Sequence, residues 1–115
     1  MKDYSILIID DEDAQRDILT GYLKKKEFTI YSASYGNEGI KIVQNNLIDI
    51  VLSDYKMPDK TGIEVLEEVK KLNPEISFVI LTAYGTIENS VKSMRLGAFD
   101  YISKPVDLYE LDLMI

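Results

Sequence analysis

Asp10, Asp11, Glu12 and Asp13 follow directly on the aliphatic run Ile6-Leu7-Ile8-Ile9, so four carboxylates crowd the end of a segment that reads as buried. Carboxylates held together repel, and a pKa among them rises unless something positive sits between them. The chain has no His and no Cys, so a bound cation would meet only oxygen ligands and should be hard: Mg²⁺, with Mn²⁺ as the alternative. Glu12 and Asp13 read better as acids at a helix start, where the helix dipole favours them, which leaves Asp10 and Asp11 as the metal ligands. Asp54 ends a second apolar run, "IVLSD". Beside a divalent cation, a carboxylate there has two uses: to ligate the metal, or to attack phosphorus and form an acyl phosphate. A phosphoryl group in transfer needs its equatorial oxygens neutralised by metal, by an ammonium and by hydroxyl or backbone N–H donors. Thr82 and Lys104 are of the required types. Singly they read as a strand-end hydroxyl and a solvated lysine; together with the acids, at the ends of four separate apolar runs, they read as a site.

Those runs are five in number, at Ser5 to Ile9, Phe28 to Ser32, Ile48 to Ser53, Ser77 to Leu81 and Phe99 to Ile102. Most are continuous rather than alternating, as strands buried on both faces of a parallel sheet are. Between them lie stripes at helical spacing: Ala14, Ile18, Leu19, Tyr22 and Leu23; Ile40, Val43 and Leu47; Ile63, Leu66, Val69 and Leu72; Ile87, Val91 and Met94. Asn73-Pro74 closes the third stripe, Thr86 is placed to cap the fourth, and Gly97 to stop it. The alternation specifies an open, doubly wound α/β fold, whose ligand site lies outside the carboxyl ends of the strands. A fifth helix opens at about Leu108 with Leu108, Leu111, Met114 and Ile115 apolar, and stops after two turns. The chain therefore reads as one domain, residues 1–115, with a truncated fifth helix and further domains expected downstream.

At 115 residues the chain suits one domain with a real core. Its 46% hydrophobic and 29% charged residues fit a soluble globular protein rather than a disordered or membrane one. No apolar run approaches the roughly 20 residues needed to span a bilayer, and the N-terminus lacks the pattern of a secretory signal, which points to the cytoplasm. Without Cys there is no disulfide framework, and without His the usual neutral-pH base is missing. A net charge of -7 argues against direct binding of nucleic acid.

Four motifs, "LIIDDE", "LSDYKMPDKTG", "VILTAYG" and "GAFDYISKP", resemble in order and spacing the receiver domain of two-component response regulators. The resemblance covers the chain to about Leu113. It implies a CheY-like, flavodoxin-like (βα)5 three-layer sandwich with a parallel five-stranded sheet of order 2-1-3-4-5. It also implies that Asp54 is the phosphoacceptor, attacking the phosphohistidine of a partner sensor histidine kinase, which accounts for the missing His. Asp11 would then ligate Mg²⁺ directly and Asp10 mostly through water, with Asp54 and the backbone carbonyl of Lys56 completing the set. Lys104 and Thr82 would meet phosphoryl oxygens, as would the backbone of Tyr55, Lys56 and Ala83. Thr82 and Tyr101 would form the switch that changes the face of the fourth helix and fifth strand, and the Lys104-Pro105 bond would be cis. Such a domain catalyses its own phosphorylation and hydrolyses its own acyl phosphate.

The stretch "TAYGTIENSVKSMRLGAFDYISKPVDLYEL" looks like receivers of the nitrogen-regulator type. These usually precede a AAA+ ATPase domain and a DNA-binding domain, and activate transcription. A phosphorylation-dependent homodimer is a further expectation of the family, although the short fifth helix bears on any dimer surface that uses it. Receivers serve many outputs, so another output class is the first alternative. An aspartyl-nucleophile phosphatase fits less well, because such enzymes place a D-x-D pattern after the first strand and need a cap domain. A receiver-like module that no longer accepts phosphate is opposed by the intact acids, Thr82 and Lys104. A flavodoxin-like cofactor binder would need a phosphate-cradling loop where this chain has acids.

Overall fold

The computed structural model describes residues 4 to 83 and 85 to 114, without the side chains at 110, 113 and 114. Runs rich in β-branched and other aliphatic residues form the inner strands β1 (Ser5–Ile9), β3 (Ile50–Asp54) and β4 (Ser77–Thr82), and the more polar β2 (Thr29–Ala33) and β5 (Asp100–Ser103) form the edges. They alternate with helices α1 (Asp13–Lys24), α2 (Gly36–Asn45), α3 (Gly62–Leu72), α4 (Ile87–Arg95) and α5 (Leu108–Met114). All strand pairs are parallel, in the order β2-β1-β3-β4-β5. This is the expected sheet, with β3 in the middle and β1 beside it.

Successive side chains of a strand point to opposite faces, so each inner strand feeds two cores. Leu7, Ile9, Val51, Phe78 and Ile80 pack with Ile40, Val43, Ile63, Leu66 and Val69 from α2 and α3. Ile6, Ile8, Leu52, Val79 and Leu81 pack on the other face with Leu19 and Leu23 of α1 and Leu111 of α5. Leu111 anchors the fifth helix, and Asp112 ties it to α1 by accepting from Tyr22 and pairing with Lys26 at 3.1 Å. Ile115 and the Met114 side chain, expected on the same stripe, lie outside the described residues. Among the described residues no helix is long and apolar enough to cross a membrane.

Two expectations need correction. Ladder pairing starts one or two residues later than the apolar runs of β2, β3 and β5. Phe28 instead stacks on Tyr4 after a left-handed turn at Glu27, and Ile48 is buried below the strand it precedes. Apolar residues thus mark burial at the foot of the sheet as well as membership of it. The larger correction is α4. Ile87, Val91 and Met94 are 86%, 45% and 48% exposed, and the helix instead buries Ser93, whose hydroxyl donates to the Asn89 carbonyl at 2.7 Å. A small residue there lets a short helix lie close at the β5 side of the sheet and turns its apolar stripe outward. Ala14, Leu47 and Leu72, at the ends of their stripes, are likewise exposed, as is Ile18. Thr86 does cap α4, accepting from the Asn89 N–H at 3.0 Å, and Asn73 closes α3.

Candidate functional site

The carboxyl ends of β1, β3, β4 and β5 deliver Asp10, Asp54, Thr82 and Lys104 to one edge of the sheet. Parallel pairing sets their level: Asp54 lies beside Leu81, and Thr82 beside Ser103, one residue before Lys104. Asp10, Asp54 and Thr82 are all buried, in contrast to Asp11 and Glu12 at the rim. Lys104 bridges the acids, its Nζ 3.2 Å from Asp10 Oδ2 and 3.3 Å from Asp54 Oδ1. Its side chain is 7% exposed, so this is a buried ion pair rather than a surface one. Above it opens a cleft of about 630 Å³ lined by Asp11, Glu12, Gln15, Asp54, Lys56, Met57, Pro58, Thr82, Ala83, Lys104 and Pro105. The Lys104-Pro105 peptide bond is cis.

The electrostatics are unbalanced toward negative charge. Burial pushes the Asp54 carboxyl above the usual carboxylate range, and the nearby Asp10 adds to this against the pull of Lys104. Burial works against the Lys104 charge, but Asp54 and Asp10 outweigh it and hold the ammonium pKa above that of an ordinary lysine. Asp10, Glu12 and Asp54 each place a carboxylate oxygen within 4.8 Å of the others, a spacing one divalent cation would neutralise. The donors are all oxygen and the cleft opens to solvent, which suits a small, hard ion that keeps several waters.

Local structure explains how each group is held. Asp10 is anchored from three sides: its N–H donates to the Ala33 carbonyl at 3.0 Å, its carbonyl accepts from Arg16 at 2.7 Å, and its side-chain Oδ1 accepts from the Glu12 N–H at 2.9 Å. Arg16 also pairs with Asp13 in the first turn of α1, consistent with Asp13 as a helix-start acid. Glu12 sits at the N-cap of α1 without a side-chain cap bond, and its carboxylate lies within reach of those of Asp10 and Asp54, a proximity that the sequence does not display. The turn after Asp54 is closed by the Gly62 N–H donating to the Tyr55 carbonyl at 2.6 Å. Only glycine fits there, because a Cβ would lie 2.8 Å from the Asp54 carbonyl oxygen.

Of the backbone groups expected at a phosphoryl group, Lys56 and Ala83 line the cleft, whereas the Tyr55 N–H is committed to the Leu81 carbonyl at 2.9 Å. Tyr55 reaches the other way, its hydroxyl accepting from Asn89 of α4 at 3.4 Å. Tyr101 stands half-buried against the core on the α4 side. A Cβ on Gly85 would lie 3.2 Å from its ring and 3.3 Å from the Thr82 methyl, so ring and threonine are neighbours across that gap. Burial raises the pKa of its phenol.

The family model for the response regulator receiver domain matches residues 6–115, and the chain belongs to that family. It is a receiver domain of the two-component class. Among curated proteins it is 36% identical over 110 residues to Regulatory protein AtoC of Escherichia coli (strain K12), covering 96% of this chain and 24% of that one. Transcriptional regulatory protein ZraR of Klebsiella oxytoca is 34% identical over 110 residues, covering 96% and 25%. The chain thus spans about a quarter of the length of these relatives. A solved response regulator receiver domain protein (CheY-like) from Methanospirillum hungatei JF-1 superposes with a TM-score of 0.94 at 34% identity, over 98% of this chain and 90% of that one.

Proposed function

We propose that Asp54 accepts a phosphoryl group in an Mg²⁺-dependent reaction and that this modification is the signal the domain carries. The observation that supports this most is the buried Asp54 carboxylate at a strand end, 3.3 Å from the Lys104 ammonium and facing an open cleft with excess acid. The Asp54 oxygen forms the new O–P bond as the bond from phosphorus to its donor breaks: an N–P bond of a kinase phosphohistidine, or the O–P bond of acetyl phosphate. Asp10, Asp11, Asp54 and the Lys56 carbonyl, with Glu12 close by, would hold Mg²⁺, which when bound would supply charge neutralisation at the phosphoryl oxygens. Lys104, the Thr82 hydroxyl and the backbone N–H groups of Lys56 and Ala83 take the remaining phosphoryl charge. Lys104 already lies against Asp54, so little rearrangement precedes the chemistry.

A sensor histidine kinase is the proposed donor, and cytoplasmic residence goes with it. Movement of Thr82 toward the new phosphoryl group draws Tyr101 with it and alters the face of α4 and β5. An attached output domain would read that face, with homodimerisation as one form of the reading. Transcription control is the output the nitrogen-regulator resemblance and the two regulatory relatives favour, through AAA+ ATPase and DNA-binding domains. The test is intact mass after incubation with Mg²⁺ and acetyl phosphate. One phosphoryl group should be gained, and it should be lost in Asp54→Asn and suppressed by chelator; no adduct at saturating donor would refute the phosphoacceptor role.

A further inference from the structure

Asp59 lies outside the cleft, on the far side of Pro58, which borders both that cleft and the surface recess in which Asp59 sits. Its two carboxylate oxygens accept from successive backbone N–H groups, Gly36 at 3.0 Å and Asn37 at 2.8 Å. These are the first two residues of α2, whose own N-cap residue, Tyr35, makes no side-chain cap bond. The start of α2 is therefore capped by a residue from another element, with a negative charge where the helix dipole favours one. Partial burial alone would raise the Asp59 pKa, but the Asn37 and Gly36 N–H groups overcome this and hold it below the usual value.

Asp59 is also the outer part of the loop that carries Lys56. That loop is closed at its base by the Tyr55–Gly62 hydrogen bond and the Lys56–Thr61 bridge, and Met57 is buried in the core. The clasp at Asp59 fixes its outer end. Contact there is tight: a Cβ on Gly36 would lie 2.9 Å from Val65 and 3.2 Å from Lys60, so α2 sits directly on the loop. We infer that Asp59 is a positioning residue for the metal site, holding the 55–62 loop against α2 so that the Lys56 carbonyl keeps its place at the cleft. The inference rests on the Mg²⁺ site proposed above, and adds that metal affinity depends on a carboxylate that never meets the ion.

Two measurements on wild type, Asp59→Asn and Asp59→Ala separate the possibilities. The first is Mn²⁺ binding, followed by loss of the free-ion paramagnetic resonance signal; the second is the Mg²⁺ dependence of phosphorylation by acetyl phosphate. Asn keeps the shape and one acceptor oxygen but turns an NH₂ toward the second N–H. Both variants should weaken metal binding by about tenfold, the range seen when outer supports of ligands are removed, while the phosphorylation rate at saturating Mg²⁺ stays within about twofold. Leu111→Ala, which unseats α5 on the opposite face, should lower stability without moving metal affinity. Unchanged affinity in both Asp59 variants would overturn the inference, as would a loss of affinity that Leu111→Ala reproduces. Wild type that binds Mn²⁺ but takes up no phosphoryl group would refute the phosphoacceptor role alone, and the Mn²⁺ series would still decide the part played by Asp59.

Discussion

At the scale of single residues, the charge on Asp54 opposes folding until something binds. Asp54 has a raised pKa in the folded chain, so the stability linked to its proton is fully present below the unfolded carboxylate pKa and is lost as pH rises through the folded one. Asp54→Asn mimics the protonated form at every pH. In chelator, the variant should therefore unfold at a higher temperature than wild type near neutral pH, and the gap should close as the solution is acidified toward the carboxylate range. Added Mg²⁺ should reverse the order at neutral pH, because binding to the folded state at a hundredfold excess over Kd stabilises by about 2.7 kcal/mol. Thermal unfolding at two pH values with and without Mg²⁺ reads all of this; a wild type already the more stable in chelator would contradict the charge balance described. Asp10, Asp54, Thr82 and Lys104 could be singled out in the sequence because each ends an apolar run in a fold whose strand ends define the site. Glu12 could not, since an acid at a helix start looks the same whether it serves the dipole or a cation. Asp59 left no trace either: its partners are backbone N–H groups 22 and 23 residues away, which any residue would supply.

At the scale of elements, α4 is where pattern and packing part company. Spacing of Ile87, Val91 and Met94 says only that they share a face; whether a sheet covers that face depends on where the helix lands. Here Ser93 makes the buried contact. Ser93→Leu should overpack this seam and cost about 1–3 kcal/mol, whereas Met94→Gln should change stability by less than about 0.5 kcal/mol. Urea unfolding of both variants checks the orientation, and the opposite ranking would restore the face expected from the sequence. Strand boundaries strayed for a related reason. Ile48 is buried and Phe28 stacks on Tyr4 at the foot of the sheet, and hydrophobicity records such packing without recording which residues join the ladder; Phe99, 54% exposed, is apolar without being covered. The helix caps were readable, because Thr86 and Asn73 act within their own turns.

At the scale of the whole molecule, a parallel sheet with β3 at its centre brings residues from positions 10, 54, 82 and 104 to one edge, while two separate cores hold α1, α2, α3 and α5 against it. One edge carries the acids and Lys104; the neighbouring side presents the uncovered stripe of α4, joined to the site through Thr82, Tyr101 and the Tyr55–Asn89 contact. This layout suits a domain that takes up charge at one place and changes its surface at another. The measurement that bears most directly on it is the position of the phosphoryl group. After phosphorylation by acetyl phosphate with Mg²⁺, borohydride reduction converts an aspartyl phosphate to homoserine, and peptide mass mapping locates the altered residue. Homoserine at position 54 alone is the predicted result; homoserine at position 10 or 11, or no conversion in a chain that has bound Mg²⁺, would contradict the account.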